Sequence, residues 1–85
     1  MAESRAAAPD RDRAQRDIGT LWTLRRGEST ARCALLALAD GLELQVLIDG
    51  ALLRSEQCER HEQAFTLAAR WRARMMDREW KALRS

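Results

Sequence analysis

Two Asp-Gly dipeptides, at residues 40–41 and 49–50, constrain the fold of this chain more than any other feature. Both lie between short segments in which apolar and polar residues alternate. In that setting Asp-Gly is typical of a two-residue hairpin turn, because both central positions of a type I′ turn require positive φ. A further turn is expected at Gly27 and Glu28. The sequence from residue 20 to residue 58 therefore predicts four successive antiparallel strands.

These turns also predict how the strands are paired. A turn at Asp40-Gly41 places Leu35 opposite Val46, a turn at Asp49-Gly50 places Leu53 beside Val46, and the Gly27 turn places Trp22 opposite Cys33. A slip of one residue would invert a strand, so agreement among the turns supports the register. All of them place one apolar set on a single face: Trp22, Leu24, Cys33, Leu35, Ala37, Leu44, Val46, Ile48 and Leu53.

After Cys58 the apolar period changes from two to 3.6 residues, which indicates an amphipathic helix over residues 62–80. Its apolar stripe consists of Ala64, Leu67, Ala68, Trp71 and Met75. The expected fold class is therefore α+β, a four-stranded antiparallel β-meander packed on one face by a single C-terminal α-helix (ββββα). We expect residues 1–18 to be a disordered tail of mixed charge and residues 19–85 to form a single α+β domain.

Length and composition exclude several classes of protein. With 85 residues the chain is too short for a two-domain enzyme. A formal net charge of +2 is too small to indicate a nucleic-acid or membrane partner. The longest uninterrupted apolar run, residues 34–39, falls far short of the ~20 residues of a membrane-spanning helix.

The composition also bears on source and compartment. Basic residues are almost all arginine and alanine is abundant, as in proteins of GC-rich bacterial genomes. The first residues lack the apolar stretch of a secretory signal. We therefore expect a bacterial, cytoplasmic protein in which Cys33 and Cys58 are reduced thiols.

The sheet face opposite the helix is the main candidate for an interaction surface. Besides Leu21 and Ala34, the predicted register places on it the leucines proposed as a partner or dimer face, namely Leu36, Leu38, Leu47 and Leu52. Apolar patches of this kind usually mark contact sites, and so small a core gains from association. We expect a homodimer or a protein partner. The alternative is that a terminal segment folds over part of this face.

Catalytic and metal chemistry have little support. Cys58 and His61 could approach each other across one turn, but the chain contains two Cys and one His in all, too few for a zinc site without added carboxylates. As a nucleophile and base the same pair lacks an orienting third group and a glycine-rich oxyanion hole. The glycines are spaced as turn residues. We therefore predict that the protein is not an enzyme, and no cofactor, metal or small-molecule ligand is expected.

A basic set near the C-terminus leaves one further alternative. If the helix runs to residue 80, Arg70, Arg74, Arg78 and Lys81 could contact phosphates, and a nearby tryptophan could stack on a base. Asp77 and Glu79 interrupt this run, and a solvated helix face is the more ordinary interpretation. A nucleic-acid-associated regulatory domain is therefore the second hypothesis, after a non-catalytic protein-interaction or self-associating domain.

Several segments are similar to those of a group of short uncharacterised bacterial proteins. They are W-T-L-R-R-G at 22–27, A-R-C-A-L at 31–35, L-E-L-Q-V-L-I-D-G at 42–50, L-L-R-S-E-Q-C at 52–58, A-A-R-W-R-A-R-M at 68–75, and Trp80. The resemblance implies the ββββα order and a bacterial source. It implies no activity, cofactor or catalytic residue.

Overall fold

The computed structural model describes residues 16–82, in which a five-stranded antiparallel sheet carries one helix on one face. The elements in chain order are β1 (Arg16–Arg26), β2 (Ser29–Leu38), β3 (Gly41–Ile48), β4 (Ala51–Cys58), α1 (His61–Met76) and β5 (Lys81–Ala82). The strand order across the sheet is β4-β3-β2-β1-β5. The α+β class and the four-stranded meander are confirmed, with a short fifth strand added. The tail expected over residues 1–18 overlaps the start of β1, and residues 1–15 lie outside the described residues.

Two of the predicted turns form as expected. The first hairpin turns at Gly27 and Glu28 and pairs Trp22 with Cys33. The turn between β3 and β4 has φ of 52° at Asp49 and 88° at Gly50, the two positive values that a type I′ turn requires. The Asp49 carboxylate also accepts a hydrogen bond of 3.0 Å from the backbone N–H of Thr30, which attaches this turn to β2.

The turn between β2 and β3 differs from the prediction. It consists of Ala39 and Asp40, so Leu35 lies opposite Leu44 rather than opposite Val46. Gly41 is instead the first residue of β3, where a Cβ atom would lie 3.2 Å from the carbonyl oxygen of Cys58. The absence of a side chain at Gly41 therefore allows β3 and β4 to approach closely at this point. Because this register moves by an even number of residues, the side chains of β2 and β3 keep their predicted faces.

β-Bulges produce two further differences. In β4 the register shifts beside Leu47, so Leu52 pairs with Leu47, Arg54 pairs with Val46, and Leu53 is the extra residue. The predicted pairing of Leu53 with Val46 is therefore wrong. In β1 a bulge between Thr20 and Trp22 makes Leu21 the extra residue. Leu21 therefore packs against the core beneath the helix, and its predicted place on the open face is wrong.

The core lies between the sheet and α1. Its main cluster joins Leu35, Leu44 and Val46 of the sheet to the helix. Within the predicted helical stripe, Ala64, Ala68 and Trp71 are buried, while Leu67 and Met75 are partly buried against the same cluster, which confirms the stripe. The indole Nε1–H of Trp22 donates a 2.9 Å hydrogen bond to the carbonyl oxygen of Ala68. Small helix residues allow this close approach.

The helix ends at Met76, earlier than the predicted residue 80. Glu79 has φ of 74°, and the N–H of Trp80 bonds back to the carbonyl of Met75 at 3.1 Å, a pattern that closes helices with a left-handed residue. Trp80 is then buried with Leu24 and Ala31 in a second cluster, and β5 pairs with β1. Burial of this indole against the sheet competes with continuation of the helix.

Substitutions at Glu79, whose φ is positive, test how the helix ends. Glu79→Gly should raise the free energy of unfolding by about 0.5–1 kcal/mol, because a residue with a Cβ is strained at positive φ and glycine is not. Glu79→Asn should change it in the same direction by less, and Glu79→Val should lower it. Urea denaturation with an unchanged m-value measures the differences. Equal stability of the Gly and Val variants would contradict the assigned helix ending.

Candidate functional site

The leucines predicted to form a partner face lie on the sheet face opposite α1. Strand pairing places them there: Leu36 pairs with Glu43, Leu47 pairs with Leu52, and Leu38 follows Leu36 on the same side of β2. Leu36, Leu38 and Leu47 are half-buried by their neighbours, and Leu52 is 55% exposed. The helix covers none of them. We call this leucine set and the residues between its members the open face.

The open face has two apolar ends and a polar middle. Leu36 and Leu38 lie toward the turn between β2 and β3, whereas Leu47 and Leu52 lie toward the turn between β3 and β4. Gln45 lies between them, and its Nε2 donates a 3.1 Å hydrogen bond to the carboxylate of Glu43. Glu43 is only 6% exposed. The surface is thus less continuous than the sequence alone indicates.

The predicted basic set does not form a single helical face. Arg70 and Arg74 are exposed on α1, and Arg78 lies in the turn that follows the helix. Lys81 lies in β5, at the edge of the sheet opposite β4. The early end of the helix is the reason for this separation. Within residues 16–82 the groups proposed for nucleic-acid contact therefore divide between two parts of the surface.

One basic residue near the helix was missed by the sequence reasoning. The guanidinium of Arg54, on β4, lies 4.6 Å from the centroid of the Trp71 ring, a cation–π geometry. In the predicted register Leu53 occupies its place opposite Val46, so only the bulge brings Arg54 to the helix side of β4. No sequence signal marks a bulge at this position.

Cys58 and His61 are close in sequence but lie in different environments. Cys58 is 4% exposed within the main core cluster, and burial together with the negative charge of Glu56 raises the pKa of its thiol. His61 is exposed at the start of α1, with its ring 6.3 Å from that of Phe65. A raised pKa keeps the Cys58 thiol protonated near neutral pH, which does not favour a thiolate nucleophile.

The described residues also offer no metal centre. Over residues 16–82, His, Cys, Asp and Glu side chains nowhere assemble into a group of three or more that could hold a metal ion. In the same part of the chain no helix is long and apolar enough to cross a membrane.

Comparison with protein-family models, with curated proteins and with solved structures gives no match to this chain. The resemblance to short bacterial proteins therefore stays a prediction.

The buried thiols predict a pH dependence of stability. Burial raises the pKa of Cys33 from 9.0 to about 12. Above about pH 9 the unfolded thiol loses its proton while the folded one keeps it, so the free energy of unfolding falls as pH rises from about 9 to about 12. The fall attributable to one such group is at most about 1.4 kcal/mol per pH unit.

Cys33→Ala should flatten this alkaline fall, although the lost packing lowers stability at neutral pH. The chain has no tyrosine, which leaves few other groups that titrate in the same range. Urea denaturation of both proteins at intervals across the range measures the slopes. An identical slope in wild type and Cys33→Ala would show that Cys33 is not the titrating group.

Proposed function

We propose that this protein is a non-catalytic interaction domain that self-associates as a homodimer through its open face. The observation that carries the proposal is that α1 covers one face of the sheet, while Leu36, Leu38, Leu47 and Leu52 lie on the other. Each exposed leucine surface withdrawn from water contributes favourable free energy in proportion to its area, at about 25 cal/mol per Å². Self-association is the simplest way for a single chain to cover such a face.

The size of the fold supports the same proposal. A domain of roughly 60 residues buries only about 60% of the surface that its unfolded chain exposes, so its stability is marginal. The core described above rests on one helix packed against one sheet face. A dimer that packs two open faces together would add a second apolar layer on the other side of each sheet.

The arrangement of the open face is suited to a two-fold pairing. Leu47 and Leu52 lie at one end of the face, and Leu36 and Leu38 lie at the other. A two-fold axis that runs across the strands would superpose opposite ends of two copies. Leucine would then meet leucine at both ends of the interface.

We further propose that the protein acts in a bacterial cytoplasm. Both cysteines are buried and free within the fold, and neither forms a disulfide. Reduced thiols are the ordinary state in that compartment.

Two adjacent leucines provide a matched test of the dimer. Leu52 is 55% exposed on the open face, and Leu53 is 56% exposed on the helix side of the same strand. Leu52→Lys should give a monomer, because it places a charge in the interface, while Leu53→Lys should remain a dimer. Sedimentation equilibrium or light scattering measures the mass of each variant, and circular dichroism verifies its fold.

The proposal requires a dimer in the wild-type protein. A mass near the 9.7 kDa of one chain at high micromolar concentration would overturn it. It would equally be overturned if Leu53→Lys dissociated the dimer and Leu52→Lys did not, since the interface would then lie on the helix side. Leu36→Lys and Leu47→Lys give an independent check at the two ends of the open face.

A further inference from the structure

A cleft of about 430 Å³ lies between the beginning of β4 and the C-terminal half of α1, on the side of the sheet away from the open face. Val46, Leu53, Trp71 and Met75 form its apolar floor. Val46 and Trp71 are buried core residues, whereas Leu53 is 56% exposed and reaches into the opening. The cleft is large enough for one or two side chains of a bound chain.

The rim of this cleft is strongly basic. Arg54, Arg74 and Arg78 border it, and Asp77 is the only acidic residue among its lining groups. Stacking on the Trp71 ring holds the Arg54 guanidinium in one orientation above the floor. A guanidinium held in this way binds a carboxylate with less loss of conformational freedom, and its planar fork matches the two carboxylate oxygens.

The cleft opens onto an edge strand. Within residues 16–82, β4 pairs with β3 alone, so its other edge presents backbone N–H and C=O groups to the surroundings. A second recess, lined by Glu56 and Cys58 of β4 and by Leu67 and Arg70 of α1, lies farther along the same strand. It holds one acidic and one basic residue, so the excess of positive charge is confined to the first recess. The two recesses form a groove that follows β4 beside the helix.

From these features we infer that the groove binds an extended acidic segment of a partner protein, which adds to β4 as a further strand. Backbone hydrogen bonds to the free edge would supply affinity, and the recesses would select side chains. In an extended chain every second side chain points to the same face, about 7 Å apart. An apolar side chain can therefore lie on Leu53 and Met75 while a carboxylate two residues away reaches the arginines.

This site is independent of the proposed dimer. The groove lies on the helix side of β4, and Leu52 lies on the opposite side. A result that contradicts the dimer therefore does not contradict peptide binding in the groove, and the reverse also holds. Binding should be measured in the Leu52→Lys variant as well as in wild type, and it should be unchanged there.

The probe is a fluorescein-labelled peptide of about seven residues, with threonine at each odd position and glutamate, leucine and glutamate at the even positions. Threonine favours the extended state, and the even positions face the groove. Fluorescence anisotropy measures its affinity at low ionic strength. There are two control peptides. In the first, lysine replaces each glutamate, and in the second, alternate backbone amides are N-methylated. Both should bind at least about tenfold more weakly, the first for lack of charge complementarity and the second for lack of edge pairing.

Protein variants locate the binding site. Arg54→Glu and Arg74→Glu should each weaken peptide binding by about tenfold. Arg25→Glu is the matched control, because it makes the same charge change at an exposed position on β1, away from the groove, and should have little effect. Arg54→Lys should also weaken binding, since it keeps the charge but loses the fork and much of the stacking. Thermal unfolding verifies that each variant is folded.

Several results would overturn the inference. Equal weakening by Arg25→Glu would show a general charge effect, and unchanged binding of the methylated peptide would exclude strand addition. Binding lost in Leu52→Lys would tie the groove to the dimer. Dissociation of the wild-type dimer by the peptide would indicate that a second copy occupies this edge. Tighter binding of a single-stranded oligonucleotide with the same dependence on Arg54 and Arg74 would favour nucleic acid as the ligand instead.

Discussion

The close packing of α1 against one side of the sheet determines which surfaces of residues 16–82 are covered and which are left open. Ala64 and Ala68 bring α1 near the sheet, and the indole N–H of Trp22 bonds to the carbonyl of Ala68 at the contact. The Trp22 indole is partly buried, and an N–H withdrawn from water needs such a partner. Because α1 is the only helix among residues 16–82, this contact divides the sheet into a covered face and an open one, and both proposals follow from that division.

A bulge in β4 determines what the helix side of this edge strand presents. Leu52 lies on the open face and Leu53 on the helix side, as in a regular strand, and the two are equally exposed. The bulge adds Arg54 to the helix side, where it lies over Trp71. An interaction surface on one side and a basic groove on the other thus share one strand, so single substitutions can test them separately.

Much of the fold could be predicted from local patterns. The meander, the helical stripe and the covered face follow from apolar periods of two and 3.6 residues. The predicted pairing of β2 with β3 is wrong by two residues, and this error changes the face of no side chain in those strands. The end of α1 could not be predicted this way, because Met75, Met76 and Trp80 also suit a longer helix. Its ending depends on Trp80 packing against Leu24, a contact distant in sequence.

The order of the elements and the side of the sheet on which most apolar residues lie follow from the sequence alone, because they depend on periodicity and on short turns. Packing between distant segments sets where the strands bulge and where the helix ends, and it also sets the pairing of β5 with β1 and the stacking of Arg54 on Trp71. Each of these depends on competition between contacts far apart in the chain, and no local pattern records its outcome.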